Sequence, residues 1–131
     1  MDSVATKATV LIAEDDKLLR DSIVDVLTAA GYKVLQVENG KDGLDTALKE
    51  HPALILTDNL MPLMNGVDMV AKLREDPWGK TVPVVLMTSM YSGDTLNDSL
   101  QAGVTDYVMK TDFSIDKVVE LVANRLKGNG K

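Results

Sequence analysis

The stretch TVLIAEDDKLLR, residues 9–20, predicts a buried strand followed by the start of a helix. Its first five residues are apolar or small without polar alternation, as is typical of a strand buried on both faces of a parallel sheet. Glu14, Asp15 and Asp16 follow directly. Three neighbouring carboxylates at one strand end repel one another, so their presence indicates a site that needs negative charge.

The rest of the chain repeats this alternation of apolar runs and helical segments. Four further apolar runs predict strands at 33–37, 53–57, 83–88 and 106–109. Segments with helical spacing lie between and after them, at 19–30, 41–50, 66–75, 94–102 and 115–126. This order predicts an α/β fold, a parallel sheet covered by helices on both faces. We expect a single domain over residues 1–131, with a core at about 8–127 and short flexible tails.

Composition excludes several classes of protein. The formal net charge of −6 and the scattered basic residues argue against nucleic-acid binding. The chain has no cysteine, which rules out disulfides and Cys-ligated zinc. It also lacks an apolar run of membrane-spanning length and a signal-peptide pattern, so we expect a cytoplasmic protein without membrane insertion.

Polar residues end three of the other predicted strands. Asp58 ends LILTD, Thr88 and Ser89 follow VVLM, and Lys110 follows DYVM. Ligands of parallel α/β sheets bind beyond the carboxyl ends of the strands, where the strand order reverses. These side chains are therefore expected to converge with the acids at 14–16 on one site.

The segment DNLMPLMNG, residues 58–66, resembles the phosphoacceptor motif of the receiver domains of two-component response regulators. The pair Glu14 and Asp15, the step Thr88–Ser89, and Tyr107 three residues before Lys110 also match that family. The resemblance covers about residues 8–127. It implies a flavodoxin-like (βα)5 fold with strand order 2-1-3-4-5.

The resemblance implies that Asp58 is the phosphoacceptor and that Asp15, Asp58 and the Leu60 backbone carbonyl bind Mg²⁺. Glu14 would act through a metal-bound water. Neighbouring carboxylates need a cation, and Mg²⁺ suits a few oxygen ligands and several waters. Lys110 would be the second cation of phosphoryl transfer.

Two residues are expected to transmit the phosphorylated state. Thr88 would donate its hydroxyl to the arriving phosphoryl group, and Tyr107 occupies the position of the family's switching aromatic. The predicted function is a stand-alone phosphorylation switch. A sensor histidine kinase or a histidine phosphotransfer protein would supply the phosphoryl group. A downstream effector protein would bind the face formed by the fourth helix, fifth strand and fifth helix.

Four residues are predicted to border the site. Leu60 and Met90 would cover the phosphoryl group against water, with Ser89 beside them, which predicts a long-lived phosphorylated state. Leu18 lies outside the apolar stripe of the first helix and is expected to contact the kinase. Such a domain catalyses its own phosphorylation and dephosphorylation without a separate turnover substrate, so whether it counts as an enzyme stays open.

Three alternatives remain. An aspartyl-phosphate hydrolase that depends on Mg²⁺ generally has a second carboxylate two residues after its nucleophile, where this chain has Leu60. A flavodoxin-like cofactor binder would need Ser, Thr and Gly after the first strand, where the acids would repel a phosphate. A degenerate receiver could act as a docking module.

The chain departs from the family pattern after the strand-five lysine. Receivers usually have a proline there in a cis peptide bond, whereas this chain has Thr111. A cis bond before a residue other than proline costs about 2.5–4 kcal/mol. Aiming Lys110 at Asp58 favours cis all the same, so we expect a cis Lys110–Thr111 bond.

Overall fold

The computed structural model describes residues 7–88, 93–112 and 114–129. Five strands alternate with five helices: β1 (Lys7–Ala13), α1 (Lys17–Ala29), β2 (Tyr32–Val37), α2 (Gly40–Glu50), β3 (Leu54–Asp58), α3 (Gly66–Leu73), β4 (Val84–Thr88), α4 (Gly93–Ala102), β5 (Asp106–Met109) and α5 (Ile115–Asn129). Two short 3-10 helices, Trp78–Lys80 and Lys110–Asp112, precede β4 and follow β5. The predicted elements are confirmed, with ends that shift by a few residues, and the predicted tails lie largely outside the described residues.

The five strands form one parallel sheet in the order β2-β1-β3-β4-β5. The fold that the resemblance implied is therefore confirmed. From β1 the chain passes to β2 on one side, and from β2 it crosses to β3 on the other side of β1. The strand order reverses between β1 and β3, which is where ligands of such sheets bind.

Helices cover both faces of the sheet because its central strands carry apolar residues on both sides. Val10 and Ile12 point to one face, where they pack with residues of α1 and α5 such as Ile23 and Val118. Leu11 points to the other face and packs with residues of α2 and α3. Polar side chains in the central strands are thereby confined to the strand ends.

Glycine allows a close approach where the loop after β3 enters α3. A Cβ atom built on Gly66 would lie 2.3 Å from the Asp58 carbonyl oxygen, so any larger residue would displace the end of β3. Among the described residues, no helix is both long enough and apolar enough to cross a membrane.

Candidate functional site

The site lies at the carboxyl edge of the sheet, where β1 and β3 end side by side. Carboxylate oxygens of Glu14, Asp15 and Asp58 lie within 4.8 Å of one another. We call these three residues the acidic cluster. Glu14 is completely buried and Asp58 is 7% exposed, whereas Asp15 is open to solvent. The predicted crowding of carboxylates is present in the structure.

Lys110 brings a positive charge to the acidic cluster from the end of β5. Its Nζ lies 2.7 Å from Glu14 Oε1 and 3.4 Å from Asp58 Oδ2. The ammonium therefore contacts two carboxylates and lies nearer to Glu14. This contact with Glu14 could not be seen in the sequence, because β5 and β1 are separated by two strands of the sheet.

The expectation of a cis Lys110–Thr111 bond is wrong. No peptide bond between described residues is cis. The lysine side chain is long enough to reach both carboxylates from a trans backbone. A cis bond is therefore not needed to direct Lys110 at Asp58, and nothing offsets its cost of about 2.5–4 kcal/mol before a residue other than proline.

Burial governs the electrostatics of the site. Burial raises the pKa of the Glu14 carboxyl above its ordinary value, and it does the same for the pKa of Asp58. Burial alone would lower the pKa of Lys110, but its contacts with Glu14 and Asp58 outweigh burial and the pKa is raised. The site thus favours a charged lysine, and its two buried carboxyls gain from any additional cation.

The acidic cluster fits a hard divalent cation. Its ligand atoms are carboxylate oxygens, which Mg²⁺ prefers. Glu14 Oε1 is buried and, among the described residues, has no hydrogen-bond partner of good geometry, although the Lys110 ammonium lies beside it. A buried carboxylate oxygen in this state can accept a hydrogen bond from a metal-bound water.

Asn59 fixes the loop that follows Asp58. Its backbone N–H donates to Asp58 Oδ1 at 2.8 Å. Its carbonyl accepts from the N–H of Gly66 at 2.8 Å, and its side-chain Oδ1 accepts from the N–H of Val67 at 3.0 Å. These bonds orient the Asp58 carboxylate and join the end of β3 to the start of α3. Leu60 lies in this loop with its side chain 57% exposed.

Thr88 and Tyr107 lie on the neighbouring strands β4 and β5. Thr88 ends β4 and is 3% exposed. Tyr107 lies in β5 opposite Leu86, is half-buried, and packs against the core on the α2 and α3 side of the sheet. The predicted flanking residues Ser89 and Met90 lie outside the described residues.

Exposed leucines follow the residues of the acidic cluster in the chain. Leu18 is 80% exposed in the first turn of α1, as the sequence predicted. Leu63 is 76% exposed in the loop after Asp58 and adopts a positive φ of 68°. Sequence reasoning missed Leu63, since no local pattern marks a leucine for this conformation.

Sequence reasoning also missed Arg20, a buried arginine that follows Asp16 by four residues. Arg20 is 8% exposed, and its Nη1 donates to the Glu14 carbonyl at 2.8 Å. It shares the buried side of α1 with Ile23 and Leu27. These two residues follow Arg20 by three and seven positions, a helical spacing that assigns Arg20 to the buried side of α1 and was the signal available in the sequence.

Comparison with known proteins identifies relatives over nearly the whole chain. The family model for the response regulator receiver domain matches residues 10–123. Histidine kinase P4 of Formosa agariphila is 35% identical over 129 residues, which are 95% of this chain and 9% of the kinase. Transcriptional regulatory protein HprR of Escherichia coli is 33% identical over 118 residues, 90% of this chain and 51% of HprR. The chain thus spans a small part of the kinase and about half of HprR.

A solved structure matches the fold closely. A CheY-like response regulator receiver domain protein from Methanospirillum hungatei superposes with a TM-score of 0.85 at 26% identity. The match covers 92% of this chain and 94% of that protein.

Proposed function

The chain belongs to the response regulator receiver domain family, and we propose that Asp58 is the residue on which it accepts a phosphoryl group. The family acts in phosphorylation-dependent two-component signalling, and we propose the same function for this chain. The observation that supports Asp58 is its place in the acidic cluster, beside Lys110 and at the point where the strand order reverses.

The proposed transfer is a nucleophilic displacement at phosphorus. A carboxylate oxygen of Asp58 forms a bond to the phosphorus atom, and the bond to the donor nitrogen or oxygen breaks with its electron pair on the leaving group. The product is an acyl phosphate on Asp58. The Asn59 N–H holds Asp58 Oδ1 at 2.8 Å, which leaves Oδ2, the oxygen nearer to Lys110, as the candidate nucleophile.

The acidic cluster would hold Mg²⁺ through Asp15, Asp58 and the Leu60 carbonyl, with Glu14 accepting from a bound water. When bound, the ion would neutralise negative charge on the phosphoryl oxygens. The charge of Lys110 favours the ionised form of Asp58, which opposes the effect of burial, and in the proposed mechanism Lys110 binds a phosphoryl oxygen as charge builds there. In the proposed mechanism, Thr88 donates its hydroxyl to the new phosphate and Tyr107 follows the shift.

Two kinds of protein partner fit this function. Receiver domains exchange phosphoryl groups with histidine kinases and pass the signal to effectors. For this chain we propose that Leu18 contacts the donor protein, which is a kinase or a histidine phosphotransfer protein, because it is exposed next to the acids. The effector is proposed to bind the face formed by α4, β5 and α5.

Labelling by a small acyl phosphate in the presence of Mg²⁺ tests the acceptor. Wild type is expected to gain one phosphate that is lost under conditions that hydrolyse acyl phosphates, and Asp58→Asn is expected to gain none. Asp25→Asn, the same change at an exposed position of α1, is the matched control and should be labelled like wild type. Intact-mass spectrometry measures all three proteins.

The same measurement distinguishes the rival functions. A docking module would remain unlabelled although correctly folded. A phosphohydrolase would consume the donor through many turnovers without accumulating the phosphorylated form. Undiminished labelling of Asp58→Asn would refute the assignment of the acceptor.

A further inference from the structure

Arg20 joins three elements directly behind the acidic cluster. Its guanidinium is buried, its Nη1 donates to the Glu14 carbonyl at 2.8 Å, and its Nε donates to Gln36 Oε1 at 3.3 Å. The side chain thereby connects α1 to the end of β1 and to β2. Burial of an arginine side chain is uncommon, since its charge must be satisfied by well-placed acceptors.

The carbonyl that Arg20 binds controls the direction of the chain through the acidic cluster. The peptide unit is planar, so the Glu14 carbonyl and the Asp15 N–H rotate together. The Glu14 N–H already donates to the Val37 carbonyl at 3.1 Å. Arg20 therefore fixes the peptide unit that follows β1, from which the exposed Asp15 extends toward Asp58.

The Glu14 side chain depends on the same backbone. Its Oε2 accepts from the Asp16 N–H at 3.1 Å, and its Oε1 faces Lys110 at 2.7 Å. A rotation of the peptide between Glu14 and Asp15 would disturb both contacts. One buried hydrogen bond thus influences two of the three carboxylates.

We propose that Arg20 is a positioning residue that holds the Glu14–Asp15 peptide so that the acidic cluster converges on a divalent cation. This inference rests on the proposed function, because it takes the acidic cluster to be a Mg²⁺ site. Lysine is a poor substitute. A guanidinium presents several donors in a fixed fork and can serve two acceptors, whereas an ammonium is a single point charge.

Arg74 supplies a matched control. It is a second arginine whose guanidinium donates to backbone carbonyls, at 2.7 Å to Gly79, 2.7 Å to Val82 and 2.6 Å to Gly103. These carbonyls precede β4 and β5, at the amino edge of the sheet and away from the acidic cluster. Loss of Arg74 therefore removes comparable bonds without touching the site.

The experiment measures Mg²⁺ affinity by calorimetric titration of Arg20→Met, Arg20→Lys, Arg74→Met and wild type, together with their melting temperatures. Arg20→Met is expected to weaken Mg²⁺ binding roughly tenfold, as loss of a residue that orients metal ligands commonly does. Arg20→Lys should weaken binding less. Arg74→Met should melt at a lower temperature than wild type and keep the affinity of wild type.

Two outcomes would overturn the inference. One is an Arg20→Met variant that binds Mg²⁺ like wild type, and the other is an Arg74→Met variant that loses as much affinity as Arg20→Met. If Arg20→Met does not fold, Arg20→Lys takes its place. The inference then fails if Arg20→Lys binds Mg²⁺ like wild type, or if Arg74→Met loses as much affinity as Arg20→Lys. Labelling by a small acyl phosphate separates this result from the proposed function. If wild type is not labelled, Asp58 is refuted as the phosphoacceptor, whereas the Mg²⁺ affinities still decide whether Arg20 positions the acidic cluster.

Discussion

Replacing Asp58 by asparagine is expected to stabilise the magnesium-free protein. The change keeps the size of the side chain and removes one charge from the acidic cluster. The carboxylate oxygens of the acidic cluster lie within 4.8 Å of one another. Two negative charges at that distance repel by about 3.5 kcal/mol at an effective dielectric near 20, and Asp58 has two such neighbours, Glu14 and Asp15. Its attraction to Lys110 at 3.4 Å is about 5 kcal/mol on the same scale.

Burial disfavours the charged carboxylate, and on the Coulomb scale the two repulsions exceed the attraction, so Asp58→Asn should raise the free energy of unfolding by about 2 kcal/mol. For a chain of this length that corresponds to a rise in melting temperature of about 5–10 °C. Urea unfolding in a chelating buffer measures the effect, with Asp25→Asn as the exposed control, for which about ±0.5 kcal/mol is expected.

The pH dependence identifies the cause. Because burial raises the pKa of Asp58, the native carboxyl keeps its proton to a higher pH than the unfolded one. Through Asp58, wild type therefore loses stability as the pH rises from about 4 through the raised native value, and the variant lacks this contribution to the loss. The difference in stability between variant and wild type should be small at acidic pH and should grow as the pH rises through the raised native pKa of Asp58. A gain that is constant across this range, or equal in the Asp25 control, would refute the electrostatic argument.

Three further predictions concern the metal, the donor protein and the lifetime of the phosphate. Added Mg²⁺ should raise the melting temperature of wild type by linkage and that of Asp15→Ala less, and an equal rise would remove Asp15 from the ligands. Leu18→Asp should slow transfer from a kinase and spare labelling by a small acyl phosphate, whereas equal loss in both assays would mean damage to the site. The double variant Leu60→Asn/Met90→Glu should lose its phosphate faster than wild type after donor removal, because polar groups can orient water. Decay no faster than that of wild type would contradict the shielding role.

The sequence by itself determined the elements and the edge of the sheet where the site lies. Uninterrupted apolar runs mark strands buried on both faces, and helical spacing marks the segments that cover them. Because all strands are parallel, the residues at their carboxyl ends lie along the same edge of the sheet, whatever the order of the strands. Glu14, Asp58 and Lys110 could therefore be assigned to one site before any distance was known.

Only the tertiary structure decided how these groups pair. Lys110 contacts Glu14 as well as Asp58, through a trans peptide, because the packed sheet brings the end of β5 within reach of β1. Arg20 binds a carbonyl six residues earlier, and no local pattern distinguishes that bond from an ordinary place in the core. Such contacts depend on the relative positions of β1, α1 and β5, which are set by packing of the whole core, and this is why the sequence located the acidic cluster but not the residues that hold it in place.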